Sequence, residues 1–343
     1  MSGKKHGGRP NHKVYQAGKR HMELIASVSR SSGLEKDGDA LRDHNIQQEY
    51  RDFIAGKLRD YWDQYPHGQT TEKSKQQAEM QSNILILFRK LREGLLSTKR
   101  SDEFALEVYE TSLYLSILFE SPAQATSVIS HLLPGVYLSF AELPASALTA
   151  SLLSLLHFLL ASYPSQSRFF EHLATLPPRF IPKESEQCRW IESLAKALRT
   201  RNYARLDGLT DADALKKLVP STLQEPTPKP PEARQLNVAF NLPLSALHTQ
   251  VNALRAKARE SAWMVIRSAY RELHIDPAAE SPSSTHCWLY RSLALRPVKY
   301  DPKDGSSDEI AQLDTWFQEK SKAGEVRPKE GVAGRWIVCK IKI

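Results

Sequence analysis

Residues 251–343 place four short segments in an order that few folds accept. VNALRAKARESAWMVIRSAYREL (251–273) has the apolar spacing of a long helix, with Val251, Leu254, Ala258, Ala262, Ile266, Ala269 and Leu273 in one stripe. CWLYRSLAL (287–295) reads as a short helix with Leu289, Leu293 and Leu295 turned inward. SSDEIAQLDTWFQEKSKAG (306–324) reads as a third helix. Ser306 and Glu309 give it a capping box, Gly324 stands at its C′ position, and Ile310, Leu313, Trp316 and Phe317 share one face. EVRPKEGVAGRWIVCKIKI (325–343) reads as a β-hairpin with Val332-Ala333 at its tip between Gly331 and Gly334. In its last strand, Trp336, Val338, Lys340 and Lys342 alternate with Ile337, Cys339, Ile341 and Ile343. One face is apolar and the other partly basic, as in a half-buried strand. Three helices and a two-stranded wing is the order of a winged-helix domain.

Everything upstream reads as helix after helix. Residues 1–38 are polar and basic: Lys4, Lys5, Arg9, Lys13, Lys19, Arg20 and Arg30 face one acid, Glu23, before Glu35. A mobile tail is expected there. Simple disorder, a phosphate contact and a nuclear import signal all fit such a tail. From about residue 40 the helical period appears. Leu41, Tyr50, Phe53, Ile54, Leu58, Tyr61 and Trp62 fall at three-and-four spacing, and helices are predicted over 74–97, 102–120, 145–162, 166–176, 185–199 and 210–218. Pro122 suits the first turn of a further helix. Prolines 134, 144, 164, 177, 178 and 182 punctuate the series. The expected architecture is mostly α: a helical-repeat domain over 39–219, stacked as a right-handed α-solenoid. PSTLQEPTPKPPEARQ (220–235), with five prolines, is expected to be a stiff linker or loop. Residues 236–343 would then hold a last helical hairpin and the winged helix.

Chemistry-bearing motifs do not appear. The chain has no GxGxxG, GxxxxGK[ST], HExxH or GxSxG, and only 15 glycines with which to build phosphate-cradling loops. Cys188, Cys287 and Cys339 are too far apart for a CxxC pair and odd in number, so reduced thiols are expected. The histidines are scattered without ligand spacing, and His157 lies in an apolar helix. The most apolar run, Leu148–Ala161, is broken by Ser151, Ser154 and His157 and is too short for a membrane span. The first residues lack an apolar signal-peptide core. The expectation is a protein that is not an enzyme and has no cofactor, metal, membrane partner or small-molecule substrate.

Net charge is +8 with a sequence pI near 9.2. That balance favours a polyanionic partner, although solubility alone also accounts for it. Arg255, Arg259, Trp263, Arg267 and Arg271 recur at steps of four, a row that drifts partway round a helix. Guanidinium groups around an aromatic ring suit phosphate contact and base stacking. A solvated face with Trp263 turned inward is the plainer reading. Lys329, Arg335, Lys340 and Lys342 on the hairpin are further candidates for a nucleic-acid backbone, and lysines there also guard an edge strand against aggregation. Trp316, Trp336 and Val338 are the candidate partner-interface residues.

Two segments carry a family resemblance. FRKLREGLLSTKRSDEFALEVYETSLYLS (88–116) resembles the two-helix segment of GANP/Sac-type PCI-domain proteins at Leu91, Arg92, Leu95, Phe104, Glu107, Val108, Tyr109 and Glu110. ALRAKARESAWMVIRSAYREL followed by WLYRSLAL is similar to the opening of that family's winged helix. IESLAKALRTRNYARLDGL (191–209) is similar to a further family helix. The likeness spans roughly residues 45–340; Thr111-Ser112-Leu113, the proline-rich segment and the 276–286 loop depart from the family pattern. The resemblance implies a helical-repeat PCI domain ending in a winged helix, and a non-enzymatic scaffold acting in nuclear mRNA processing, transcription-coupled export and genome stability. It implies a second PCI-domain protein, a small acidic DSS/Sem-type protein, and RNA or single-stranded DNA as partners. Localisation would be nuclear, with a cytoplasmic fraction allowed. The alternative is a structural subunit of a proteasome-lid, signalosome or translation-initiation PCI assembly that binds no nucleic acid.

Overall fold

The computed structural model describes residues 19–28, 40–66, 74–220, 223, 241–275, 284–296, 298 and 309–340. Most of the basic tail, most of the proline-rich segment, Ser306 of the expected capping box and Lys342 lie outside the described residues. The protein is mostly helical, with one small three-stranded antiparallel sheet. It divides into two compact units, residues 1–100 and 101–343. That boundary falls inside the 39–219 stretch expected to be one domain.

The first unit holds α1 (Lys19–Leu24), α2 (His44–Gln64) and α3 (Lys75–Thr98). Short polar side chains start the longer helices: the Asp43 carboxylate accepts from the Asn45 amide at 2.7 Å and Ser74 Oγ from Gln77 at 3.0 Å. Helix α1 corrects the expectation of a tail running to residue 38. Met22 and Ile25 are buried, Lys90 Nζ donates to the Ile25 carbonyl at 2.7 Å, and Glu23 pairs with Lys57. Two apolar anchors inside a basic stretch are enough to fold it back.

In the second unit, α4 (Glu103–Leu118) is buried along nearly its whole length. Its apolar side chains are buried together with the polar Glu107, Glu110, Thr111, Ser112 and Ser116. Its acid Glu110 is satisfied there by the Tyr137 hydroxyl at 2.7 Å, and burial with that carboxylate pushes the phenol's pKa well up. Next come α5 (Pro122–His131) and α6 (Ser146–Ser162). Ser151 and Ser154 in α6 return their hydroxyls to the carbonyls of Ala147 and Ser151, so the polar breaks in the apolar run cost little. Among the described residues no helix is long and apolar enough to cross a membrane. Then follow α7 (Ser167–Thr175), α8 (Glu186–Arg199), α9 (Tyr203–Leu209) and α10 (Ala212–Leu218), with Ser185 and Asn202 capping α8 and α9.

Helix α11 (Leu242–Ala269) starts nine residues before the apolar stripe read from the sequence and ends four residues before it, with Pro243 in its first turn. It packs along α4 and α6, so the proline-rich stretch does not divide two compact units. The remaining elements are β1 (Glu272–His274), α12 (Thr285–Ser292), α13 (Glu309–Lys322), β2 (Val326–Pro328) and β3 (Arg335–Val338). The sheet order is β1-β3-β2, with Leu273 opposite Trp336 and Val326 opposite Val338. Residues 272–274 are therefore strand rather than the end of the long helix, paired along the edge of β3 opposite β2.

The core of this end gathers Ala262, Trp263, Ile266, Leu273, Leu289, Leu293, Leu313, Trp316, Phe317, Val326 and Val338. Trp336 packs on it, so the face of β3 turned inward is the Trp336–Val338 face and not the Ile337–Cys339 face. In a strand, one residue of phase decides which set is buried. Trp316 and Val338 are buried and Trp336 lies against Phe317 with ring centroids 5.3 Å apart. Two of the three expected partner-interface residues, Trp316 and Val338, are thus core residues, and Trp336 is partly buried against them.

Gly334 shows how tight the hairpin is. Its φ is +72°, and a Cβ there would lie 2.3 Å from the Ile275 carbonyl oxygen. Gly334→Ala is expected to cost about 2–3 kcal/mol, from left-handed strain and overpacking, read as a lower urea midpoint than wild type. A second test concerns two histidines that join α6 to its neighbours α5 and α7. His157 Nε2 lies 2.8 Å from Thr126 Oγ1, and His172 Nε2 lies 2.9 Å from Ser154 Oγ. Burial lowers the pKa of His157; burial, and then His157 itself, lowers that of His172 to about 4. The unfolded chain takes up protons below its ordinary histidine value of 6.5 that the fold refuses until about 4. Stability is therefore fully present above that ordinary value and falls as pH drops through this window. The urea midpoint should decline from neutral pH towards pH ~5, and His172→Phe should flatten the decline; an equally steep profile in the variant would place the titration elsewhere.

Candidate nucleic-acid interface

The arginine row of α11 has to be built from its acceptors. Arg255 is 2% exposed. Its Nη2 lies 2.9 Å from Asp207 Oδ1, 3.1 Å from the Ala294 carbonyl and 2.7 Å from the Arg296 carbonyl, and Nη1 donates to Thr210 Oγ1. Burial draws the guanidinium pKa down and the Asp207 carboxylate opposes that pull. One turn on, Arg259 donates from Nε to the Leu293 carbonyl and from Nη2 to that of Ala294, both at 2.8 Å. These carbonyls belong to the end of α12, where Ala294 takes a left-handed φ of 48° and cations suit the helix terminus. Trp263, 1% exposed, donates from Nε1 to Glu325 Oε2 at 2.6 Å and meets Trp316 edge to face at 4.7 Å. Arg267 holds the Cys339 carbonyl at 3.0 Å and Glu325 at 3.4 Å.

The row is therefore a seam between α11 and three neighbours: α9, the end of α12 and the strands. Arg255, Arg259, Trp263 and Arg267 are corrected from nucleic-acid contacts to internal clamps, because their donors already face protein acceptors. Arg271 alone of the row is exposed.

On the hairpin, Lys329 and Arg335 both pair with Glu272, at 3.0 and 3.2 Å. The Lys329 ammonium, with Arg335, holds the Glu272 carboxyl below its ordinary pKa. A cleft of about 560 Å³ opens between α13 and the hairpin tip, lined by Asp314, Gln318, Lys329, Arg335 and Trp336. Asp314 on that wall and Glu319 on the exposed side of α13 work against a phosphate entering along the helix. Lys340 is exposed.

The free cations sit elsewhere. Arg271, Arg291, Arg327 and Lys340 are exposed, and no carboxylate among the described residues pairs with them. Beside two of them stand Tyr270 and Trp288, 46% and 38% exposed, with ring centroids 5.6 Å apart. These aromatics were missed in the sequence, although a signal existed: with Leu289 and Leu293 inward, Trp288 and Arg291 must share the outer side of α12. Among the described residues no cluster of three or more His, Cys, Asp or Glu could hold a metal ion. Ser154 and His172 are within hydrogen-bond reach, but Ser154 is fully buried, so the pair has no access to a substrate. No family model matches the chain, and no curated protein matches it in sequence.

The buried pair makes a sharp expectation. Asp207→Ala would strand the Arg255 guanidinium and should cost about 3–5 kcal/mol in chemical denaturation. Joining it to Arg255→Met should recover much of that loss. If the single variant is as stable as wild type, the seam does not hold the fold.

Proposed function

We propose that this protein is a non-catalytic PCI-type scaffold subunit of a nuclear mRNA processing or export complex. It would bind a second PCI-domain protein, a small acidic DSS/Sem-type protein and RNA or single-stranded DNA. The observation that carries the reading is topological. The C-terminal elements run helix, strand, helix, helix, strand, strand, with the sheet ordered β1-β3-β2, and α11, which opens the series, also packs on α4 and α6. That order is what a winged helix fused to a PCI helical repeat requires. The residues that resemble the GANP/Sac-type segment support it from another side. Leu91, Arg92, Leu95, Phe104, Glu107, Val108, Tyr109 and Glu110 are all buried, as positions that specify a fold should be.

Nucleic acid in this reading would meet the hairpin side, through Arg327 and Lys340 with Lys329 and Arg335 in support. A second reading has one observation in its favour: the acids Asp314, Glu319 and Glu272 dilute the positive field there. In that reading the protein is a structural subunit of a proteasome-lid, signalosome or initiation-factor assembly and its hairpin touches only protein.

Affinity purification of the native protein with mass spectrometry separates the two. A second PCI protein, an acidic DSS/Sem-type protein and RNA-processing factors are expected; lid, signalosome or initiation-factor subunits would overturn the leading reading. Purified protein with its PCI partner should bind oligouridine with a log–log salt slope of about −0.7 per phosphate contact. Arg327→Glu with Lys340→Glu should shallow that slope by about two contacts. Binding that ignores salt would remove the nucleic-acid half of the proposal.

A further inference from the structure

One crevice in the second unit contains a polar group that the fold leaves unanswered. It holds about 480 Å³ between the end of α4, the start of α5, the end of α6 and the middle of α11, a size within the roughly 300–1,000 Å³ of small-molecule sites. Ile117, Leu160 and an alanine from each of three helices, Ala125, Ala161 and Ala253, line it. The alanines leave room that longer side chains would fill. Glu120, Pro122 and Lys257 are exposed and mark the mouth; Ala125, His157 and Gln250 are buried and mark the floor. Gln250, Ala253 and Lys257 follow one another at three- and four-residue steps on α11, so their side chains leave the helix on one side, toward the crevice. Gln250 is 3% exposed, and its Oε1 has no hydrogen-bond partner among the described residues. Other polar residues of the lining are engaged elsewhere. Ser116 and Thr249 return their hydroxyls to the carbonyls of Ser112 and Ser245, His157 Nε2 meets Thr126, and Lys257 Nζ holds the Leu160 carbonyl. A buried amide without a partner costs stability, and a methionine of similar shape would not. Gln250 is therefore explained by what enters the crevice and not by the fold.

We propose that this crevice binds a small, neutral, largely apolar organic molecule that presents a cis-amide edge, an N–H beside a C=O, to Gln250. A primary carboxamide offers a donor and an acceptor side by side in one plane, so its full complement is a lactam or carboxamide edge that offers the same pair in reverse. The match holds in either orientation of the Gln250 amide, because exchanging its oxygen and nitrogen only turns the ligand's edge round. The alanine and aliphatic walls suit a flat apolar ring, and one polar group among apolar walls is how such sites fix orientation. Charge favours neither sign. Glu120 and Lys257 both stand at the mouth, and burial lowers the pKa of His157, which leaves its ring neutral at neutral pH. A molecule that fills the space without answering the amide leaves a buried group unpaired, and the site discriminates against it on that account. The crevice uses none of the hairpin residues and rests on neither the nucleic-acid reading nor the PCI reading.

Isothermal titration calorimetry of the full chain tests this with two compounds. 2-Quinolone is a bicyclic lactam; N-methyl-2-quinolone keeps the rings and the carbonyl but has lost the N–H. 2-Quinolone should bind with a Kd of about 0.1–1 mM, as its size allows, and the N-methyl compound roughly tenfold or more weakly. Gln250→Met should weaken 2-quinolone to the same extent, while its urea midpoint stays at or above that of wild type. Ala253→Phe, which fills the crevice from α11, should lose both compounds. A crevice that holds only water binds neither compound in the wild-type protein and overturns the proposal. Equal affinity for the two compounds would show an apolar crevice that does not read the amide, and binding that survives Ala253→Phe would lie elsewhere; either result overturns it. A lower urea midpoint in Gln250→Met would make the amide a part of the fold and overturn it as well. None of these results bears on oligouridine binding or on the co-purifying proteins, so this proposal and the scaffold reading fail separately.

Discussion

A guanidinium ion sealed from water is an expensive object, and Arg255 is one. Desolvating such a charge costs several kcal/mol, so it survives only where its donors are answered. Here they are answered by the Asp207 carboxylate, the Thr210 hydroxyl and the carbonyls of Ala294 and Arg296. Lysine could not do this, because a point ammonium cannot fan its donors across acceptors on separate segments. The location gives the pair its weight. Helix α11 has 28 residues and is therefore about 42 Å long. Its first half, through Leu247, Val251 and Leu254, is buried where α11 packs on α4 and α6; its last turns, through Ala262, Trp263 and Ile266, belong to the core beneath the sheet. Arg255 and Arg259 stand between these stretches, where α9 and the end of α12 reach the helix. The two cores share one rod, and this cluster fixes what meets the rod at its middle.

That geometry also explains what could and could not be read from the sequence. The helices were legible because their periodicity is local, and Ser74, Asp102 and Ser185, the first residues of three predicted segments, prove to be the caps. The role of the arginine row was not legible, because a charge row states what is offered and never what accepts it. The acceptors of Arg255 lie 39 to 48 residues away in the chain. A row of guanidinium groups facing carbonyls has the same spelling as a row facing phosphates. Strand β1 failed for another reason: three residues are too few to show a period, and their backbone conformation is decided by β3. In β3 the alternation itself was clear, but both faces carry apolar residues, so its phase had to come from Phe317 and the core beneath it.

The same lesson alters how net charge should be used. A formal +8 says that cations exceed acids along the chain, not that they are free on its surface. Around the sheet, Arg255, Arg259 and Arg267 are spent on internal acceptors, while Lys329 and Arg335 share one carboxylate. Among the described residues of this end, Arg271, Arg291, Lys322, Arg327 and Lys340 are exposed without a paired carboxylate, and Arg271 and Arg291 differ in surroundings from Arg327 and Lys340. Arg327 and Lys340 belong to the hairpin side, with acids nearby and Val332 exposed at the hairpin tip. Arg271 and Arg291 adjoin the exposed aromatics Tyr270 and Trp288, and no carboxylate among the described residues pairs with them. A phosphate backbone is content with charge alone, whereas a protein partner needs apolar area to bury as well. What a partner could meet is therefore the charge left exposed and its surroundings, and not the total along the chain.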